Sequence, residues 1–187
     1  MESRPARRRR FGEFGAAAAV LLGSCGPTQC APSPPPPATS TTIAGTPAVV
    51  VPLEAKPVQA PCTFTDTWGA ARAAGRVHEG TDISAAEGSQ LYAVVTGVVS
   101  KIYADGPGSL AGNGLLIRQP DGTFFFYGHL SALAPGIALG TAVTGGQLVG
   151  YVGHTGNAGV LHLHLEIHPG GGAAVNPYHT LVAYGAC

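Results

Sequence analysis

Short apolar runs separated by glycine and proline fill the last two thirds of the chain. From Cys62 onward, β-branched and aromatic residues gather in runs of four to nine, and no segment keeps a helical period over three turns. Runs of this length and composition predict β-strands rather than helices. The predicted strands cover residues 91–99, 115–118, 123–127, 147–152 and 161–167. The pattern therefore predicts an all-β domain.

Glycine and proline mark the connections between these strands. Pro-Asp-Gly at residues 120–122 separates two predicted strands with the residue types that tight hairpins favour. Gly145-Gly146 and the glycine-rich segment 153–157 have the composition of loops. Strands joined by such short connections pair in the antiparallel sense, so we expect a single, mostly antiparallel domain.

The segment 161–168 alternates strictly between apolar and polar residues. In a strand, this period of two places His162, His164, Glu166 and His168 on one face, with leucine and isoleucine packed inward. Two imidazoles two residues apart on a rigid strand are close enough for one to bind a metal while the other faces water or substrate. The alternative is an amphipathic strand whose polar face is solvated, and the strand alone does not separate the two.

An apolar run near the N-terminus has a different character. Residues 14–22 follow five arginines in the first ten positions and are too few to span a bilayer. This order predicts an export signal, of either the general secretory or the twin-arginine type. Leu-Gly-Ser-Cys at residues 22–25 resembles a bacterial lipobox, which makes Cys25 the candidate lipidation site. An ordinary cleaved signal with an incidental cysteine is the alternative.

Proline separates the export signal from the predicted domain. Ten of the sixteen prolines lie between residues 26 and 61, mixed with Ala, Ser, Thr and Val and few charges. Proline-rich chain of this kind stays extended and semi-rigid. We therefore expect a signal peptide over residues 1–24, a disordered linker over residues 25–61 and a globular domain over residues 62–187.

The distribution of charge excludes one class of partner. The chain has ten basic and ten acidic residues, but after removal of residues 1–24 five basic residues face eight acidic ones, a net charge of −3. No basic stripe then remains to follow a phosphate backbone, so nucleic-acid binding is disfavoured.

Four cysteines in an exported chain indicate an oxidising compartment. Cys62 and Cys187 lie at the two ends of the predicted domain and form the candidate disulfide, which would remove much of the entropy of the unfolded chain. Two free thiols are the alternative, and Cys30 would then be a further thiol in the linker.

Two further segments contain residue types that bind metals. His-Glu-Gly-Thr-Asp at residues 78–82 sets an imidazole and a carboxylate four residues apart, around a glycine that lets the chain bend tightly. Histidine nitrogen and aspartate oxygen are both suitable zinc ligands. Tyr-Gly-His-Leu at residues 127–130 places another histidine at the end of a predicted aromatic strand. Each segment alone also fits an ordinary turn or surface position.

The order of these segments resembles that of the lysostaphin-like (LytM-type) family of zinc metallopeptidases, which cut bacterial peptidoglycan. The resemblance covers roughly residues 64–182 and includes segments 68–69, 76–82, 97–99, 112–114, 127–130, 150–157, 162–169 and 175–178. So many segments in one order make the resemblance specific. It implies a two-sheet β domain of the duplicated-hybrid-motif type, with the site in a central groove.

The resemblance also implies a role for each residue of the site. It assigns His78, Asp82 and His164 as ligands of one zinc ion, and His129 and His162 as the catalytic pair. Three protein ligands leave one zinc position open, as in catalytic rather than structural sites. All five residues match without substitution.

Four other side chains near these segments have weaker assignments. His154 lies in a glycine-rich loop at the expected rim of the groove, where it contacts either substrate or only solvent. Glu166 either supports the site or is simply exposed. His168 and His179 have no expected ligand role.

The sequence thus predicts a zinc metalloendopeptidase that hydrolyses peptide bonds in cell-wall peptidoglycan. We expect it in the cell envelope, either lipid-anchored to the outer face of the membrane or secreted. One alternative is a catalytically silent wall-binding or regulatory protein with the same fold, and another is a latent enzyme that needs a partner or processing. The sequence does not determine the bond cut or the oligomeric state, for which a monomer is the working assumption.

Overall fold

The strands of the domain form two antiparallel sheets. The computed structural model describes residues 48–187, and the predicted signal peptide and the lipidation site at Cys25 lie outside them. The strands within this part are β1 Thr63–Phe64, β2 Thr81–Ser84, β3 Gln90–Tyr92, β4 Gly97–Tyr103, β5 Asn113–Arg118, β6 Phe124–Leu130, β7 Ala132–Leu133, β8 Ala142–Val143, β9 Leu148–Tyr151 and β10 His162–His168. A helix, α1, covers Pro177–Ala183. The prediction of a mostly antiparallel, two-sheet domain is confirmed.

The larger sheet has the order β1-β2-β10-β6-β5-β4-β8, and the smaller has the order β3-β9-β7. Every pair in both sheets is antiparallel. The buried side chains of both sheets form one hydrophobic cluster, which includes Ile83, Leu91, Ile117, Phe125 and Leu165. The strand order of the larger sheet places β2, β10 and β6 side by side near one edge.

The hairpin between β5 and β6 forms at the predicted turn. The Asp121 carboxylate accepts hydrogen bonds from the amide and the hydroxyl of Thr123 at 2.9 and 3.0 Å. Gly122 has a φ of 91°, which glycine adopts without strain. Asp121 and Gly122 therefore both stabilise the turn between β5 and β6, as the sequence indicated.

The predicted strand 91–99 is two strands rather than one. β3 ends at Tyr92 and β4 begins at Gly97, and the buried residues between them bond to other parts of the chain. The amide of Val94 donates to the Tyr127 hydroxyl at 2.9 Å, and that of Ala93 donates to the Gln147 carbonyl at 2.9 Å. The continuous apolar run at residues 91–99 indicates that most of these residues are buried, but it does not show where the chain passes from the smaller sheet to the larger one.

The predicted linker ends earlier than expected. Val51, Leu53 and Val58 are buried in the main core, and the amide of Val51 donates to the Thr180 hydroxyl at 3.0 Å. We call residues 51–58 the strap. The domain therefore includes the strap, and the predicted boundary at residue 61 is wrong. The apolar side chains that flank the prolines of the strap pack against the core. The linker before residue 48 lies outside the described residues and stays a prediction.

A disulfide joins Cys62 to Cys187, with 5.2 Å between their Cα atoms. It links positions 125 residues apart and so connects the beginning of the sheets to the last residue of the chain. Within residues 48–187, no helix has the length and apolar character needed to cross a membrane.

Candidate active site

Three adjacent strands bring the predicted site residues to one face of the larger sheet. In the pairing of β2 with β10, Asp82 lies directly opposite His164. In the pairing of β10 with β6, His164 lies opposite Gly128, one residue before His129. Side chains of directly opposed residues share a face, as do those of residues two apart on one strand, so strand register places Asp82, His162 and His164 together. His129 follows Gly128, and regular alternation would point it to the opposite face, but its backbone is left-handed rather than extended. The predicted alternation of β10 is confirmed, since Leu163, Leu165 and Ile167 are fully buried beneath it.

The three predicted ligands form a compact triangle. Nε2 of His78, Oδ1 of Asp82 and Nδ1 of His164 lie 3.0 Å from one another in each of the three pairs. Tetrahedral zinc with bonds of about 2.0–2.1 Å separates its ligand atoms by about 3.3 Å. Two imidazole nitrogens and one carboxylate oxygen are also a zinc-type donor set. The donor atoms and their spacing therefore fit a zinc ion.

Hydrogen bonds fix the tautomer of both predicted histidine ligands. Nδ1 of His78 donates to the Thr67 carbonyl at 2.9 Å, and Nε2 of His164 donates to Oε1 of Glu166 at 2.9 Å. Carbonyl and carboxylate oxygens only accept, so the proton of each ring lies on the nitrogen that faces away from the triangle. The opposite nitrogen of each ring keeps the lone pair that a metal requires.

The predicted catalytic pair is oriented in the same manner. Nδ1 of His129 donates to the Thr155 carbonyl at 2.9 Å, and Nδ1 of His162 donates to the Val160 carbonyl at 2.8 Å. The two ring centroids are 4.8 Å apart. Nε2 of His162 lies 3.5 Å from Oδ1 of Asp82. Both imidazoles therefore present an unprotonated Nε2 beside the ligand triangle.

His129 has two unusual properties. Its φ is 67°, in the left-handed region that non-glycine residues seldom adopt, and its amide donates to the Ala111 carbonyl at 2.8 Å. Burial, together with the nearby His162 and His164, lowers the pKa of His129 to about 4, although the hydrogen bond to Thr155 opposes this shift. Strained backbone and a strongly shifted pKa are both typical of functional positions.

Arg72 contacts the second oxygen of the aspartate ligand, which the sequence did not reveal. Its Nη2 lies 2.7 Å from Oδ2 of Asp82. Burial opposes ionisation of Asp82, but its contacts with the His164 and His78 rings and the nearby His162 outweigh burial and hold the pKa of Asp82 well below its usual range. With Oδ2 held by Arg72, Oδ1 is left for the metal.

Glu166 supports the site rather than facing only solvent. One of its oxygens accepts from His164, and the other accepts from Nε2 of His168 at 2.9 Å. His168 in turn donates to the Gly172 carbonyl at 2.9 Å and stacks on Phe124. Burial raises the pKa of Glu166, but its two histidine partners outweigh this effect and lower the pKa to about 2. His168, which had no expected ligand role, therefore holds the carboxylate that orients a predicted ligand.

Gly80 allows the chain before β2 to approach β10 closely, rather than allowing a tight bend. Its φ is outside the left-handed region, so the expected tight turn is not what selects glycine. A Cβ built at this position would lie 2.6 Å from both Cε1 of His164 and the Leu165 carbonyl oxygen. The absence of a side chain therefore lets β2 approach β10 closely enough to complete the triangle.

An open groove of 730 Å³ runs over the site. Its lining includes all five predicted residues together with Arg72, Arg76, Glu79 and Phe126. Three exposed apolar side chains, Val77, Leu110 and Val160, also line it. His154 is exposed and outside this lining, and His179 packs beside Tyr178 on α1. The groove can thus hold an extended chain against the triangle and the histidine pair.

Known proteins share both the sequence pattern and the fold. The model of peptidase family M23 matches residues 76–177. The chain is 34% identical over 140 residues to the L-Ala–D-Glu endopeptidase of Bacillus subtilis, an alignment that covers 68% of this chain and 42% of that protein. The chain spans less than half the length of the curated relatives it matches.

Two solved structures have a similar fold. The catalytic domain of lysostaphin from Staphylococcus simulans is 25% identical, with a TM-score of 0.55 over 64% of this chain and 92% of that one. A zinc-containing peptidase from Vibrio cholerae is 26% identical, with a TM-score of 0.55 over 66% of this chain and 39% of that one. The family model alone covers more than half of the 187 residues, and the resemblance drawn from the motifs is confirmed: the chain belongs to peptidase family M23.

Proposed function

We propose that this protein is a zinc-dependent endopeptidase that hydrolyses peptide bonds in cell-wall peptidoglycan. The observation that carries the proposal is the arrangement of the site. Three metal-type donor atoms lie 3.0 Å apart, and two imidazoles with free Nε2 atoms lie beside them. The name of the Bacillus subtilis relative, an L-Ala–D-Glu endopeptidase, supports a peptide substrate of the wall.

His78, Asp82 and His164 would hold the zinc ion. When bound, zinc supplies Lewis acidity, which activates water near neutral pH and polarises a carbonyl group. Arg72 would hold Oδ2 of Asp82 and so leave Oδ1 for the metal, while Glu166 would keep the His164 proton on the far nitrogen.

His129 and His162 would move the proton. Hydrolysis forms a bond from water oxygen to the carbonyl carbon, breaks the C–N bond and transfers one proton from water to the leaving nitrogen. Each imidazole has an unprotonated Nε2 at the site, so either can accept that proton and then donate it to the amine. A low pKa makes the protonated form of His129 a strong acid, which suits it to the second part of the transfer.

The cell envelope remains our proposed location, with Cys25 as the lipid attachment site and the segment before the strap as a tether. Palmitate labelling of the full-length chain, compared with its Cys25→Ser variant, tests this part. Label in the wild type alone supports anchoring, and equal absence of label in both contradicts it.

Incubation of the purified protein with peptidoglycan tests the activity. We expect new amino termini that disappear after chelation and return with added zinc. The His129→Ala protein should bind zinc in the same stoichiometry but release amino termini at least about 100-fold more slowly, whereas His154→Ala should match the wild type in both measurements. Zinc binding without any release by the wild type would favour the alternative of a silent wall-binding protein.

A further inference from the structure

The groove contains a guanidinium group that no carboxylate in the described domain engages. Arg72 and Arg76 both line it, and Arg72 is held at 2.7 Å by Asp82. Arg76 is exposed, and among residues 48–187 its guanidinium has no carboxylate oxygen within 4.0 Å. The two arginines of the groove therefore differ in availability: the Arg72 guanidinium is held by Asp82, whereas that of Arg76 is available to bind a ligand.

A hairpin places Arg76 beside the predicted metal ligand His78. The amide of Arg72 donates to the Arg76 carbonyl, and that of His78 donates to the Ala70 carbonyl, each at 2.9 Å. The backbone at Arg76 is extended, with φ −77° and ψ 162°. In extended chain, residues two apart project to the same side and are separated by about 7 Å. Arg76 thus lies about two residues of extended chain from the predicted metal ligand His78.

The tip of the hairpin leaves this group uncovered. It consists of Ala73–Gly75, whose side chains extend no further than Cβ. Val77, next to Arg76, lines the groove as an exposed apolar side chain, as does Val160. An ion pair formed between such walls loses less to solvent than one on an open surface.

Among the other charged side chains of the groove, one carboxylate also has no partner of opposite charge in the described part of the chain. Asp82 and Glu166 already contact cationic or imidazole partners, whereas Glu79 is exposed and has no basic side chain within 4.0 Å among the described residues. Arginine binds a carboxylate through two parallel N–H donors. A substrate amide in place of the carboxylate has no negative charge and only one oxygen to accept from them.

We propose that Arg76 binds a free carboxylate of the substrate, within about two residues of the cleaved bond, so that the groove selects carboxylate-bearing peptides over the same peptides with that group amidated. This inference rests on the proposed function, since it places a wall peptide in the groove. It deepens that proposal by naming the feature of the peptide that is recognised and the residue that recognises it.

Binding of a matched peptide pair to the zinc-loaded protein tests the inference. The pair is acetyl-L-Ala-γ-D-Glu-L-Lys with a free α-carboxyl on the glutamyl residue and the same peptide with an α-amide, titrated by NMR. We expect the acid to bind about tenfold more tightly, as for a charged hydrogen-bonded pair. Arg76→Gln should reduce this ratio to near one by weakening the acid alone, and Arg76→Lys should keep part of it.

Glu79→Gln is the matched control, because it changes one exposed charge of the same groove. It should preserve the preference for the acid, whereas an effect of overall charge would shift with either variant. Equal binding of the two peptides by the wild type, or a preference that survives Arg76→Gln, would overturn the inference. A protein that prefers the acid but releases no amino termini from peptidoglycan would instead contradict the proposed endopeptidase while supporting Arg76 as a carboxylate site.

Discussion

At the scale of single residues, the orientation of the histidines depends on the acceptor behind each ring. Three of the four acceptors are backbone carbonyls, those of Thr67, Thr155 and Val160. The fourth is the Glu166 side chain, which also binds His168. The one acceptor that mutation can remove directly is therefore this carboxylate.

Replacing Glu166 by Gln should weaken zinc binding by about 10- to 100-fold. The amide keeps an oxygen that can accept from His164, but it loses the negative charge that makes the imidazole a better ligand. Competition with a chromophoric chelator measures the change. Glu79→Gln makes the same chemical replacement at a groove carboxylate that has no histidine nitrogen within 4.0 Å among the described residues, and it should leave zinc affinity unaltered. Equal losses in both variants would contradict the role given to Glu166.

His129 should titrate far below an ordinary histidine. Burial lowers its pKa from 6.5 to about 4, so the folded protein keeps it neutral where the unfolded chain protonates it. Its contribution to stability is complete above pH 6.5 and is lost as the pH falls toward 4.

NMR titration of the ring in the zinc-loaded protein measures this shift directly. We expect a midpoint at or below about pH 4, because the charge of zinc acts in the same direction as burial. The unfolding free energy of the wild type should also decrease more between pH 6.5 and 4 than that of His129→Gln. A midpoint near 6.5 would be incompatible with the buried, neutral ring.

The motifs identified the side chains of the site but not their supports. His78, Asp82 and His164 stand in recognisable spacings, and the structure brings their donor atoms together. Arg72 is ten residues from Asp82, and only the hairpin that turns back over the groove creates their contact. The carbonyl acceptors had no sequence signal, since every residue has a carbonyl group and side-chain identity does not show where it points.

At the scale of elements, strand β10 was the most predictable part of the fold. Its alternation indicates both its buried face and its site face, and the structure agrees at each position. Strand β2 was missed, because its four residues are too few to show a period and three of them are polar. The strap was assigned to the linker because it lies within the proline-rich segment 26–61, although its apolar residues Val51, Leu53 and Ala55 alternate.

Gly80→Ala tests how closely β2 must approach β10. The added Cβ would lie 2.6 Å from a backbone oxygen and from the His164 ring, so the strands must separate or the ring must move. We expect zinc affinity to fall at least about tenfold and the unfolding free energy to decrease by about 1–3 kcal/mol.

Gly106→Ala provides the comparison, because its Cβ would meet nothing within 4 Å and its backbone is outside the left-handed region. It should leave both quantities within about 0.5 kcal/mol of the wild type. If Gly80→Ala behaves like Gly106→Ala in chelator competition and in urea unfolding, the close approach of the two strands is not needed for the site.

At the scale of the whole molecule, the disulfide between Cys62 and Cys187 closes a loop of nearly the whole domain. Linking positions 125 residues apart restricts the unfolded chain far more than the folded one. The double Cys→Ser variant should lose roughly 3 to 5 kcal/mol of unfolding free energy. Urea denaturation measures this, and zinc affinity of the folded protein should remain the same because neither cysteine contacts the site. An unchanged midpoint on removal of the bond would contradict the expected restriction.

The same bond has a consequence for the time at which the domain matures. Thiols remain reduced in the bacterial cytoplasm and pair only in an oxidising compartment. If the chain is exported as proposed, the newly made protein lacks this link while it could still act on the wrong side of the membrane. The domain then reaches its full stability only after translocation, because the disulfide that joins its two ends forms only outside the cytoplasm.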